Sequence, residues 1–171
     1  MNLPNKLTMI RMVMVPVCMA LIILGFNFTA AVVFALASLT DFFDGYLARK
    51  HNLVSSFGKI MDPLADKLLT FGALICFVAK APSFVWPAII IIAREFFVTS
   101  MRVVAVDKGK VIAASWWGKV KTNVQMFSLI FAIACSDIFP TATSVVIWIS
   151  AIFTIASWIA YIFENIEVFK D

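Results

Sequence analysis

Four aspartates, Asp41, Asp44, Asp62 and Asp66, fall within the short stretch DFFDGYLARKHNLVSSFGKIMDPLADK. Asp41 and Asp44 are three residues apart and Asp62 and Asp66 four, so on helices each pair occupies one face within a single turn. Where two such helices meet across a hairpin, the four carboxylates gather and repel one another unless a positive charge joins them. A ligand set of oxygens, with no Cys or His, favours a hard divalent cation (Mg²⁺, Mn²⁺ or Ca²⁺) over zinc. Four carboxylates can hold two such ions through shared ligands, which suits a substrate carrying a diphosphate. The competing reading pairs the aspartates with Arg49, Lys50, Lys59 and Lys67 in an interfacial belt. Two carboxylate pairs at helical spacing favour the metal reading.

The residues around the aspartates fit a phosphate-bearing ligand. Gly45, Ala48 and Gly58 keep the surface shallow enough for a flat group. Arg49 adds a planar fork that can grip phosphate oxygens bidentately. A second polar cluster follows, with Arg94, Glu95, Arg102 and the lysines of the run GKVKT, Lys119 and Lys121. On a helix, Arg94 and Arg102 are about 80° out of register and about 12 Å apart along the axis, near enough to border one cavity. Four cations around one mouth suit an anionic acceptor better than a neutral alcohol. The plainer alternative is an Arg94–Glu95 or Arg102–Asp107 ion pair beside ordinary loop lysines. Thr8 and Arg11 are polar enough to reach the aspartates from a first helix, and Pro63 can bend the helix that carries Asp62 and Asp66. His51 has no ligand partner at metal spacing and reads as a solvated loop residue.

The elements that must position these groups are membrane helices. In 171 residues, 63% are hydrophobic and 14% charged, with a mean hydropathy of +0.99, outside the range of soluble globular chains. This composition excludes disorder, a disulfide scaffold and a free nucleic-acid-binding domain. Cys18, Cys76 and Cys135 lie in apolar stretches and read as small buried hydrophobes. Six segments are long and apolar enough to span, near residues 6–24, 29–49, 57–79, 84–106, 119–138 and 141–163. The N-terminal stretch lacks a small-residue cleavage site and reads as a retained first span. With the N-terminus inside, one side receives Lys6, Arg49, Lys50, Lys59, Arg102, Lys108, Lys110, Lys119, Lys121 and Lys170, and the other only Lys80. Both termini are therefore expected in the cytoplasm, with the net charge of +4 explained by topology and anionic headgroups. The expectation is an all-α, polytopic membrane protein, a single domain over residues 1–171. Trp86, Trp116 and Trp117 are expected near its interfaces.

Asp41, Asp44, Gly45, Ala48, Arg49, Gly58, Asp62 and Asp66 reproduce the pattern D-x2-D-G-x2-A-R-x8-G-x3-D-x3-D. In this the chain resembles the CDP-alcohol phosphotransferase family. The resemblance implies a six-helix membrane fold, a homodimer, and transfer of a substituted phosphate from a CDP-linked donor to an alcohol with release of CMP. It implies two divalent ions, Mg²⁺ or Mn²⁺, on the four aspartates, with Asp66 as general base, and the donor held at Asp41, Gly45, Ala48, Arg49 and Gly58. The runs NLPNKLTMIR, AREFFVTSMR and AASWWGKVKTNVQM are similar to those of bacterial phosphatidylglycerophosphate synthases. That similarity implies CDP-diacylglycerol as donor and glycerol 3-phosphate as acceptor, its phosphate held by Arg94, Arg102, Lys119 and Lys121. Rival readings are another acceptor, such as phosphatidylglycerol or an inositol phosphate, and a divalent-cation transporter. The transporter reading lacks a ladder of ionisable residues toward the outer side.

Overall fold

Long apolar runs with few breaks propagate as helices once packing supplies the stability that short isolated helices lack. The structure, a computed structural model, describes residues 3–50, 56–110, 112–113 and 115–166; side chains are described for all of these except 3, 4, 42–50, 56, 57 and 59. Its helices are α1 (Leu3–Ile23), α2 (Asn27–Lys50), α3 (Ser56–Lys80), α4 (Val85–Asp107), α5 (Trp116–Cys135) and α6 (Pro140–Glu164), with one 3-10 turn at Pro82–Phe84 before α4. Among the described residues there is no strand.

The ends of these helices have local causes. After α1, Gly25 adopts φ +83°, with the amide of Phe26 donating to the carbonyl of Leu21 at 2.9 Å and that of Gly25 to Ile22 at 3.3 Å. Gly109 ends α4 in the same way, at φ +70°. Both turns satisfy terminal carbonyls through a left-handed residue, the conformation glycine adopts without steric cost. At the start of α5, Ser115 Oγ accepts from the amide of Gly118 at 3.2 Å. This cap starts the helix at Trp116, ahead of the expected Lys119. The helix stops at Cys135, so Asp137, inside the expected span of residues 119–138, lies instead in the turn before α6.

The helices form a closed ring in the order α1, α2, α5, α6, α4, α3. Phe34, Phe77, Ile22, Leu69, Ile91, Leu129, Ile133 and Ile147 fill its core. Helix α6 shows the inside-out polarity of a chain surrounded by lipid. Thr143, Ser150, Thr154 and Ser157 are buried, whereas Ile149, Ile152, Ile155 and Ile159 are exposed. Small polar residues let helices approach closely, and an apolar outer surface of this extent suits hydrocarbon rather than water. By length and composition, Asn5–Ile23 and Pro140–Glu164 can cross a membrane, and Asn27–Asp41 is a shorter apolar run. Helices α3, α4 and α5 are apolar over much of their length but carry Lys67, Arg94, Glu95, Lys119 and Lys121, the side chains that build the site.

The two ends of the ring differ chemically. At one end, Lys80 Nζ donates to Asn27 Oδ1 at 3.2 Å, Ser136 Oγ at 3.4 Å and Asp137 Oδ1 at 3.3 Å. Asn27 Nδ2 donates to Asp137 Oδ2 at 2.5 Å, tying α2, α3 and the α5–α6 turn together. The opposite end holds Asp41, Asp62, Asp66 and Glu95 with Arg11, Arg94, Arg102, Lys119 and Lys121. Cys18 and Cys76 are buried and Cys135 is half-buried, all as free thiols. Trp86 and Trp116, near the first residues of α4 and α5, are exposed.

Candidate active site

Helix α1 holds two of the aspartates, Asp41 and Asp62. Thr8 and Arg11, three residues apart on one face, are fully buried. Thr8 Oγ1 donates to Asp62 Oδ1 at 2.5 Å, and Arg11 Nη1 donates to Asp41 Oδ1 at 2.5 Å. Arg11 Nε also reaches Thr40 Oγ1 at 3.5 Å. One turn of α1 thus contacts the first aspartate of each pair, joining α2 to α3. These two contacts engage Oδ1 of each carboxylate.

Asp41 lies within electrostatic reach of Asp62, and Asp66 within reach of Asp41 and Glu95, with Arg11 and Lys121 as the nearby positive charges. Concentrated carboxylate oxygens form the donor chemistry a hard divalent cation requires. Among the described residues no three such groups converge closely enough to hold a metal ion by themselves. The side chains of Asp44, Gly45, Ala48 and Arg49 on α2 lie outside the described residues, as does His51. Gly58, in the first turn of α3, is buried.

Beside Asp66 opens a cavity of about 530 Å³, lined by α3, α4, α5 and α6. Its volume lies within the range of about 300 to 1,000 Å³ typical of small-molecule sites. Arg94, Arg102 and Lys119 line it, together with Lys67, Glu95, Thr99, Ser115, Asn123 and Tyr161. A much smaller space of about 30 Å³ adjoins it, lined by Asp66, Glu95, Lys121 and Gln125 among others.

The four cations expected at one mouth divide into two kinds. Arg102 and Lys119 are exposed, whereas Arg94 and Lys121 are 6% and 2% exposed. Glu95 joins the buried pair: its Oε1 accepts from Arg94 Nη1 at 2.9 Å and from Lys121 Nζ. The Arg94–Glu95 pair weighed as an alternative is therefore formed, while Arg94 still faces the cavity. Lys121 lies in the smaller space behind it. A buried cation costs too much desolvation to stand without a counter-charge, and Glu95 supplies one for both.

Further side chains complete the site. Arg94 Nη2 donates to Ser157 Oγ on α6 at 2.9 Å. Lys67 Nζ donates to Thr99 Oγ1 at 2.5 Å, and Thr99 Oγ1 to the carbonyl of Glu95 at 2.7 Å. Ser157, Thr99 and Tyr161 carry no local sequence signal of a site. The one available clue was a run of small polar residues on an otherwise apolar α6.

Residues 1–156 match the family model described as CDP-alcohol phosphatidyltransferase. A CDP-diacylglycerol–glycerol-3-phosphate 3-phosphatidyltransferase of Bacillus subtilis is 38% identical, with 99% of this chain and 97% of that protein aligned. One from Rickettsia felis is 40% identical over 94% of this chain and 93% of its own length. Among solved structures, apo phosphatidylinositol phosphate synthase of Mycobacterium tuberculosis shares the fold, with a TM-score of 0.73 at 18% identity, covering 93% of this chain and 86% of that one.

Proposed function

This chain belongs to the CDP-alcohol phosphatidyltransferase family, and on that premise we propose that it transfers the phosphatidyl group of CDP-diacylglycerol to sn-glycerol 3-phosphate, giving phosphatidylglycerophosphate and CMP. The observation that carries this reading is one cavity bordered on one side by Asp66 and on the others by Arg94, Arg102 and Lys119. A carboxylate that can take a proton thus stands beside cations that can hold an anionic acceptor.

In the proposed mechanism Arg94, Arg102 and Lys119 bind the acceptor phosphate, with Lys121 behind them adding positive potential. The acceptor's primary hydroxyl is directed toward Asp66, which takes its proton at a carboxylate oxygen. The hydroxyl oxygen forms a bond to the lipid-bearing phosphorus of the donor, the bond from that phosphorus to the CMP oxygen breaks, and CMP leaves. Gly45, Ala48 and Gly58 leave room for the cytidine end of the donor, and Arg49 holds its phosphate oxygens. Asp41, Asp44, Asp62 and Asp66 would hold two Mg²⁺ or Mn²⁺ ions, which when bound neutralise the donor diphosphate. Thr8 and Arg11 keep Asp62 and Asp41 in place.

We further propose that residues 1–171 form one domain that crosses the bacterial cell membrane six times, with both termini and the site on the cytoplasmic side. The placement of Lys and Arg supports this orientation, and the lipid-like outer surface of the ring supports the spanning arrangement. A water-soluble acceptor then enters from the cytoplasm while the donor's acyl chains stay in the bilayer. The family resemblance supports a homodimer. An acceptor panel tests the assignment. With CDP-diacylglycerol as donor, glycerol 3-phosphate should release CMP, whereas inositol phosphate and phosphatidylglycerol should not; preference for either of the latter would reassign the acceptor.

A further inference from the structure

Two residues that line the cavity each carry a buried polar atom that the proposed chemistry leaves unassigned. Tyr161 is 1% exposed, lines the cavity, and its hydroxyl has no hydrogen-bond partner among the described residues. Arg94 spends Nη1 on Glu95 and Nη2 on Ser157, and its buried Nε–H likewise has no partner among the described residues. Ser157 and Tyr161 are one turn apart on the same face of α6, so the Ser157 hydrogen bond holds the guanidinium on the face that carries Tyr161.

A buried hydroxyl without a partner is unfavourable, and phenylalanine would fill the same space without that cost. Other unpartnered atoms of α6, Thr143 Oγ1, Ser150 Oγ and Trp158 Nε1, do not line this cavity. Tyr161 differs from them in belonging to the wall of a space that a ligand can enter.

We propose that the Tyr161 hydroxyl and the Arg94 Nε–H form a two-donor floor for the acceptor's phosphate, making Tyr161 a specificity-determining residue for phosphorylated acceptors. The proposal rests on the reading of this cavity as the acceptor site. Two donors on a rigid helix pair discriminate against an uncharged alcohol, which would leave them unsatisfied.

Tyr161→Phe removes only the hydroxyl and keeps the ring packing. In the purified full chain, the variant should raise the KM for glycerol 3-phosphate about tenfold, the size of one lost hydrogen bond to a charged group. The KM for CDP-diacylglycerol should stay unchanged, the thermal midpoint should hold or rise because the unpartnered hydroxyl is gone, and competitive inhibition by inorganic phosphate should weaken in step. An unchanged acceptor KM, or equal losses for both substrates, would overturn the proposal. If wild-type protein released no CMP with glycerol 3-phosphate, the functional reading would fail instead. Calorimetric titration of inorganic phosphate into wild type and Tyr161→Phe would then still decide the floor, with equal affinities refuting it.

Discussion

Arg11 and Asp41 form an ion pair at 2.5 Å between the first and second helices, the arginine side chain fully buried and the aspartate side chain 40% exposed. The pair sets a fixed positive charge beneath a group of carboxylates, and its geometry orients the first of them. Arg11→Met should therefore cost about 1.5 to 3 kcal/mol of stability, the worth of a hydrogen bond to a charged group, and lower turnover at least about tenfold by releasing Asp41. Arg11→Lys should recover part of both. Thermal unfolding in detergent and CMP release measure the two effects. Full activity in Arg11→Met would remove Arg11 from any positioning role.

Glu95 stands between two buried cations, so removing its charge affects more than one contact. Glu95→Ala should destabilise the chain by about 3 to 5 kcal/mol, because Arg94 and Lys121 remain buried without a counter-charge. Glu95→Gln should cost less, since the amide oxygen still accepts. Adding Lys121→Met to Glu95→Gln should restore part of the loss, a non-additivity that a double-mutant cycle in thermal unfolding detects. Strict additivity would show that the two side chains are energetically independent.

Arg102 and Lys119 are exposed and line the same cavity. Arg102→Ala and Lys119→Ala should each raise the KM for glycerol 3-phosphate about tenfold with little change in stability, because each removes one charge-assisted contact at no packing cost. Arg49→Ala should instead raise the KM for the CDP-lipid. Titrating each substrate against each variant separates the two clusters, and identical effects on both substrates would refute the division into donor and acceptor subsites.

Each of Asp41→Asn, Asp44→Asn, Asp62→Asn and Asp66→Asn should lower turnover by about 10² or more. Asp66→Glu distinguishes the base from a ligand. As a base, Asp66 is sensitive to a displacement of about one methylene, so turnover falls while donor binding and the metal requirement are kept. A parallel fall in metal affinity would assign it mainly to holding the ion, and retained turnover at saturating metal would exclude it as the base.

The helices and the aspartate motif were legible in the sequence because their signals are local. Asp41 with Asp44, and Asp62 with Asp66, are each within one helical turn, and six long apolar runs interrupted by turn residues mark the helices to within a few residues. The contacts of Thr8 with Asp62 and Arg11 with Asp41 join residues 54 and 30 positions apart. No spacing rule predicts them, although both residues stood out as polar in an apolar helix. The different environments of Arg94 and Lys121 compared with Arg102 and Lys119 depend on which faces of α4 and α5 turn into the ring, a product of packing. Tyr161 was illegible for the same reason: in a membrane helix an aromatic side chain ordinarily reads as packing or interface, and only its buried, unpartnered hydroxyl marks it.

The most direct test of the account is incubation of the purified protein with CDP-diacylglycerol, Mg²⁺ and glycerol 3-phosphate in detergent micelles, reading CMP and the lipid product together. Equal amounts of CMP and phosphatidylglycerophosphate are expected, formed only when donor, acceptor and divalent ion are all present and lost in Asp66→Asn. CMP release that is independent of glycerol 3-phosphate, or no release with a folded protein, would contradict it.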